Sequence, residues 1–173
     1  MTRLRTANLL AALAGDVTER VETRLNQHPG ETDSAAAALN VIGFWEGITN
    51  AELARVLKLS HSATVRLVDK LEARGLVESC EGKDRRAVHF YLTEAGEGAV
   101  RPLLVSRCVT VDDYLDALSA DEQAQLAGLL EKLLRPLSTD GFRVAHVCRL
   151  CDETVCPGEH CPMHAGLVEG AAD

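Results

Sequence analysis

Residues 49–75 contain two short helical patterns that follow each other with almost no linker between them. Thr49 and Glu52 have the spacing of a capping box, which starts the first helix. Ser60 starts the second helix, and Gly75 ends it because glycine readily adopts the left-handed conformation found after helices. Two short helices joined by a tight turn are typical of a helix-turn-helix, although an ordinary helical hairpin has the same spacing.

A predicted β-hairpin follows directly and favours the helix-turn-helix over the ordinary hairpin. Residues 76–79 and 87–92 have the composition of strands, and the segment between them is the charged turn CEGKDRR. A hairpin with a basic tip after a helix-turn-helix is the arrangement of a winged helix. In such a domain the second helix enters the major groove of DNA, and the hairpin tip reaches the minor groove.

The charge distribution agrees with a DNA-binding surface in this part of the chain. The whole chain has a formal net charge of −8, which by itself argues against nucleic acid as a partner. Residues 55–89, however, carry eight Lys or Arg and five Asp or Glu, whereas residues 90–173 carry six and fourteen. Because electrostatic contact with DNA is local, the basic middle segment is the candidate contact surface.

Long amphipathic helices are predicted on both sides of the winged helix. Leucine and valine recur at helical spacing in residues 4–25, and a leucine-rich stripe extends from residue 126 to 137. These apolar faces exceed what a small winged-helix core can cover, so we expect a second subunit to pack against them. The predicted fold is therefore mainly α with a small β-wing, a winged helix-turn-helix domain flanked by long dimerisation helices.

These patterns divide the chain into four parts. Residues 1–33 are predicted to form an N-terminal dimerisation helix, and residues 34–98 the DNA-binding domain. Residues 99–141 are predicted to form C-terminal dimerisation helices, and residues 142–173 a cysteine-rich segment that binds a metal or cluster.

Residues 49–96 resemble the MarR family of bacterial transcriptional regulators. The resemblance rests on LARVLKLSHSATVRLVDKLEARGLV, DRRA and LTEAG. It implies a homodimer that binds a pseudo-palindromic operator in double-stranded DNA and usually represses transcription. Members of the family often respond to a small-molecule effector, but no residue of this sequence marks a pocket for one.

The resemblance also assigns residues to the DNA interface. In the recognition helix it places five side chains toward DNA: Ser60, Ser62, Thr64, Arg66 and Lys70. In the wing, Asp84 would orient the turn and Arg86 would enter the minor groove, which attracts a guanidinium. Lys83 and Arg85 would neutralise phosphates beside it.

The segment HVCRLCDETVCPGEHCPMH contains four closely spaced cysteines: Cys148, Cys151, Cys156 and Cys161. No secretory signal or membrane span is predicted, so we expect a cytoplasmic, reducing environment in which disulfides are rare. Clustered cysteines there are more often metal ligands. The spacing C-x2-C-x4-C-x4-C is that of a zinc knuckle with cysteine as third ligand, while the prolines after the last two cysteines resemble ferredoxin-like runs.

Two metal centres fit this spacing. A [4Fe-4S] cluster is the preferred prediction, because a regulator can use a cluster to sense iron or redox state. With structural zinc, the regulator would respond to a small-molecule ligand instead. A non-DNA-binding redox or adaptor protein is the second alternative. No enzyme is predicted, because the chain has no phosphate loop, nucleophile elbow or catalytic dyad with recognisable spacing.

Overall fold

The computed structural model describes residues 2–25, 33–81, 88–156 and 160–170. The elements follow in the order α1 (Arg3–Leu25), α2 (Asp33–Phe44), β1 (Ile48–Thr49), α3 (Asn50–Leu57), α4 (His61–Ala73), β2 (Val77–Glu81), β3 (Val88–Leu92), α5 (Glu94–Asp112), α6 (Ala120–Leu134), α7 (Gly141–Cys148) and α8 (Pro162–Gly170). Single 3-10 turns follow α5 and α6 at Leu115–Ala117 and Arg135–Leu137. Within the described ranges, no helix combines the length and the apolar character that a membrane span requires.

The helix-turn-helix consists of α3 and α4 and begins where the capping residues predict it. The carboxylate of Glu52 accepts a hydrogen bond from Thr49 N, and Glu52 N donates to Thr49 Oγ1, so both halves of the capping box are present. Lys58 ends α3 in the left-handed conformation, with φ of 55°. Ser60 Oγ then accepts from Ala63 N and starts α4. The turn between the two helices is therefore fixed by local hydrogen bonds.

The wing is a three-stranded antiparallel sheet with the strand order β1-β3-β2. In the hairpin, Val77 of β2 lies opposite Leu92 of β3. The additional strand β1 pairs Ile48 with Phe90, and the sequence analysis missed it because two residues are too few to show alternation. The tip of the hairpin lies outside the described residues, together with the four predicted contact residues Lys83, Asp84, Arg85 and Arg86.

The buried face of α4 includes Thr64, which the resemblance assigned to the DNA interface. Thr64, Val68 and Leu71 are 0, 2 and 1% exposed, whereas the neighbouring Val65 is 37% exposed. Thr64 Oγ1 donates to Ser60 O at 3.1 Å, so the hydroxyl is buried without losing its hydrogen bond. Thr64 therefore faces the core and not DNA, which corrects its assignment to the DNA interface.

The C-terminal part of the chain contains α5 and the shorter helices α6, α7 and α8. Helix α5 ends at Asp112, and a 3-10 turn follows it before α6. The cysteine-rich segment, for which no helix was predicted, contains α7 and α8. Asp140 Oδ1 accepts from Arg143 N at 3.0 Å and caps α7. Helix α7 packs against α3, so this segment lies on the winged helix.

Gly96 lies in the first turn of α5, beside Leu76, which lies between α4 and β2. A methyl group at Gly96 would overlap the carbonyl oxygen of Leu76. We therefore expect Gly96→Ala to lower the free energy of unfolding by about 1–3 kcal/mol, because the backbone must shift to relieve the overlap. Urea unfolding measures this change.

Gly98 on the same helix is the matched control. An added methyl group there would have no neighbouring atom within 4 Å. Gly98→Ala is expected to be neutral or to stabilise the helix by up to about 1 kcal/mol. Equal destabilisation by the two variants would contradict the steric explanation.

Candidate functional site

The exposed face of α4 carries most of the residues predicted to contact DNA. Ser62, Arg66 and Lys70 are exposed and follow each other at intervals of four residues, so they form one row along the helix. Ser60 is also exposed, but its hydroxyl caps α4 and lies 3.3 Å from Ser62 Oγ. Asp69 lies on another side of α4, in a groove against the sheet. The row therefore presents two cations and the hydroxyl group of Ser62 to solvent.

The four predicted metal ligands line a single cavity of about 400 Å³, together with His164 and residues of α2, α7 and α8. Cys161 is buried, and the other three cysteines are half-buried free thiols. The structure thus brings Cys148, Cys151, Cys156 and Cys161 to one place. In the described part of the chain, no group of three or more Cys, His, Asp or Glu side chains has the arrangement that holds a metal ion.

Hydrogen bonds between sulfur atoms connect the four thiols. Cys148 pairs with Cys151, and Cys161 pairs with both Cys148 and Cys156. The hydrogen bond from Cys148 lowers the pKa of Cys151 to about 6, against burial, which raises it, and with help from the nearby Arg107. The same bond and burial raise the pKa of Cys148. Burial also raises the pKa of Cys156.

These pKa shifts describe a centre in which Cys151 gives up its proton readily, whereas Cys148 and Cys156 give up theirs reluctantly. A bound cation stabilises thiolates and therefore releases the remaining protons. Among the nearby histidines, His164 lines the cavity, whereas His146 Nδ1 donates to Val56 O at 2.7 Å. His146 is thus occupied by a structural hydrogen bond.

Sequence reasoning missed the side chains that attach this segment to the rest of the protein. Asn40 of α2 and Arg107 of α5 donate hydrogen bonds to the main chain between Cys148 and Cys151. Neither belongs to a motif with recognisable spacing. The one available signal was that Asn40 is a polar residue within the apolar run AAAALNVIGF, since buried polar groups need hydrogen-bond partners.

Apolar side chains are exposed along α1, α5 and α6. They are Leu4, Leu9, Leu10 and Leu13 of α1, Val105 and Val109 of α5, and Leu129, Leu130 and Leu133 of α6. Helix α6 has no buried residue within this subunit. Exposed apolar faces of this extent are typical of protein contact surfaces.

Residues 30–87 match the MarR family. Over 91 residues the chain is 36% identical to the transcriptional repressor MprA of Escherichia coli (strain K12), a match that covers 52% of this chain and 52% of MprA. It is 30% identical over 91 residues to the HTH-type transcriptional repressor MdtR of Bacillus subtilis (strain 168), covering 52% and 59% of the two chains. The chain thus spans about half the length of the curated relatives it matches. These relatives are named as transcriptional repressors, which agrees with the prediction that the chain is not an enzyme.

Solved structures share the fold over most of the chain. A MarR family protein from Bacillus stearothermophilus has a TM-score of 0.69 and 26% identity, covering 80% of this chain and 100% of that one. FabT of Streptococcus pneumoniae, solved in complex with DNA, has a TM-score of 0.60 and 23% identity, covering 76% and 94%. The matched residues and the shared fold thus show that the winged-helix part of this chain is similar to the MarR family of transcriptional regulators.

Proposed function

We propose that this chain binds a pseudo-palindromic DNA operator as a homodimer and represses transcription. The observation that carries the proposal is the exposed row of Ser62, Arg66 and Lys70 on α4. Val68 and Leu71 anchor the opposite face of the helix in the core, so the row is held rigidly. Arg and Lys side chains on a helix of this kind bind guanine edges in the major groove or adjacent phosphates. A protein of the same fold, FabT, has been solved in complex with DNA.

The wing would supply the second contact with DNA. Strands β2 and β3 are paired as far as Glu81 and Val88, the last described residues on either side of the predicted tip. Within that tip, Arg86 would enter the minor groove, Asp84 would orient the turn, and Lys83 and Arg85 would neutralise phosphates.

A homodimer would place two such surfaces on one operator. The exposed apolar faces of α1, α5 and α6 support this assembly, because burying them removes apolar surface from water. Helix-turn-helix dimers read half-sites about one helical turn apart, so the relative position of the two α4 helices determines the affinity.

Variants of α4 test the proposed DNA surface. Arg66→Ala is expected to weaken operator binding by about 1–3 kcal/mol and to relax base preference if Arg66 binds a guanine. Lys70→Ala is expected to weaken binding to all sequences and to reduce the log–log salt slope by about one unit if it binds a phosphate. Fluorescence anisotropy at several salt concentrations, on an operator selected from random duplexes, measures both effects.

Arg101→Ala is the control for these variants, because Arg101 is an exposed cation on α5, outside the helix-turn-helix. It is expected to leave the affinity unchanged. An equal loss in all three variants would indicate a general charge effect and contradict the α4 surface. A chain that selects no duplex at all would instead be the non-DNA-binding adaptor.

The proposal includes a metal centre on Cys148, Cys151, Cys156 and Cys161. Its support is the convergence of four thiols on one cavity, because soft thiolates select zinc or iron–sulfur clusters over hard cations. Of the two groups that four thiolates can hold, we propose a [4Fe-4S] cluster over zinc. A cluster would let the regulator sense iron or redox state. With zinc the centre would be structural, and a small-molecule effector would regulate the protein.

A further inference from the structure

The turn formed by residues 149–151, here the 149–151 turn, is held by side chains from two other helices. Asn40 of α2 is 8% exposed, and its Nδ2 donates to Arg149 O at 3.1 Å and to Cys151 O at 3.0 Å. Arg107 of α5 donates from Nη1 to Leu150 O at 3.2 Å. Three successive carbonyl groups therefore accept hydrogen bonds from outside the cysteine segment.

The side chain of Leu150 extends this attachment into the protein core. Leu150 is 8% exposed and belongs to a cluster of buried residues from three helices, Val21 and Leu25 of α1, Ala36 and Ala37 of α2, and Leu103 of α5. Helices α1 and α5 carry exposed apolar faces assigned to the dimer, and α2 is the first helix of the DNA-binding domain. The 149–151 turn thus contacts both parts of the regulator.

Helix α7, which ends at Cys148, is attached to the helix-turn-helix itself. His146 Nδ1 donates to Val56 O in the last turn of α3. The guanidinium of Arg55 lies 3.7 Å from the ring centroid of Phe142, and that ring lies 5.3 Å from the ring of Trp45. Helix α7 is thereby fixed against the end of α3, next to the turn that leads into α4.

A ligand bound to the thiols would control the shape of the 149–151 turn. Cys148 and Cys151 flank the turn, and Cys151 N donates to Cys148 O at 2.8 Å. Binding both sulfurs to one centre restricts the turn, and releasing them allows it to relax. Because Asn40, Arg107 and Leu150 connect the turn to α1, α2 and α5, these helices would experience the change.

We infer that the 149–151 turn transmits the state of the thiol centre to the DNA-binding and dimer helices, with Asn40 and Arg107 as its positioning residues. This inference rests on the metal centre included in the proposed function. Loss of the bound group releases the turn, changes the packing of Leu150 between α1, α2 and α5, and lowers the affinity for the operator.

The test compares the operator affinity of the full chain with its metal centre loaded and after removal of the metal by a chelator. The probe is a duplex selected from random sequences by the loaded protein. The wild type is expected to bind about tenfold more tightly when loaded, within the usual range for linked sites. Asn40→Leu removes two donors to the turn, and Arg107→Met removes the third. Both variants are expected to keep their metal and visible spectrum. Their operator affinity with the metal loaded should exceed the affinity after metal removal by about twofold or less.

Two matched variants distinguish transmission from loss of structure. Arg107→Lys keeps a cationic donor and is expected to retain most of the affinity ratio, a rescue that a purely structural role would not require. Arg101→Met removes the same charge from the same helix, where Arg101 lies near Asp152 and not on the 149–151 turn carbonyls. It is expected to keep the full ratio.

The outcomes separate this inference from the proposed function. A full affinity ratio in loaded Asn40→Leu and Arg107→Met overturns the inference, and Arg107→Met alone decides if Asn40→Leu does not fold. A wild type that loads metal but binds DNA equally well without it overturns the inference and leaves the metal centre intact. A wild type that binds no metal overturns the metal centre and the inference together.

Discussion

Protein purified without oxygen is expected to contain iron and sulfide, whereas a chain with Cys148→Ser and Cys151→Ser should contain neither and should lose the fold of α7 and α8. Around the thiols, the described residues form a small buried cluster of Val144, Cys161 and Met163. So small a core does not order a segment by itself, and in such segments the free energy of metal binding is largely free energy of folding. Amide hydrogen exchange in residues 141–156 should become faster by at least about 100-fold, while the core of α2 and α4 keeps its protection.

Cys80→Ser with Cys108→Ser is the matched control for this variant. Both are free thiols, on β2 and α5, and neither lines the cavity. The control is expected to keep the metal content and the exchange protection of the wild type. If the Cys148 and Cys151 variant behaves like this control, the cavity thiols are not ligands. A colourless wild type with zinc in place of iron and sulfide would instead favour the structural zinc site and exclude the hypothesis of an iron or redox sensor.

The sequence was sufficient to predict the helix-turn-helix because its determinants are local. Thr49 and Ser60 each start a helix in the structure, as the sequence predicts. A cap depends on a side chain and a backbone group three residues apart, so it can be recognised without tertiary contacts. It was less predictable that Thr64 faces the core and Val65 faces solvent, because both residues are β-branched and of similar size. The hydrogen bond from Thr64 to Ser60 O decides between them.

The contacts of the cysteine segment with the rest of the protein could not be predicted from the sequence. Its four cysteines line one cavity, since short intervals in the sequence keep their side chains close together. Its attachment to the protein depends on contacts between residues far apart in sequence, such as Asn40 and Cys151, which are separated by 111 positions. Helices α7 and α8 are also too short for a clear amphipathic pattern, with eight and nine residues. The predicted domain boundary at residue 141 therefore did not show that the segment packs on α2, α3 and α5.

Replacing Leu130 and Leu133 of α6 by Glu is expected to dissociate the proposed homodimer and to weaken operator binding by at least about 100-fold. The two side chains are 43 and 56% exposed in the subunit, so charges there should not disturb its own core. At a dimer interface the same charges would lose hydration without gaining partners. Each subunit would then bind one half-site alone and lose the effective concentration that the linked partner provides, which is worth about 10²–10⁴ in affinity.

Sedimentation velocity and fluorescence anisotropy together measure this effect, and the melting temperature shows whether the subunit is still folded. Ala124→Glu with Gly128→Glu is the control, because it adds the same two charges to the opposite side of α6, where an added Cβ at Gly128 meets no atom within 4 Å. The control should remain dimeric and bind the operator as the wild type does. Dissociation of both variants would point to the total charge of α6 and not to its leucine face. A Leu130 and Leu133 variant that stays dimeric with full affinity would exclude this face from the interface. The exposed apolar faces of α1 and α5 would then be the surfaces that set the distance between the two recognition helices.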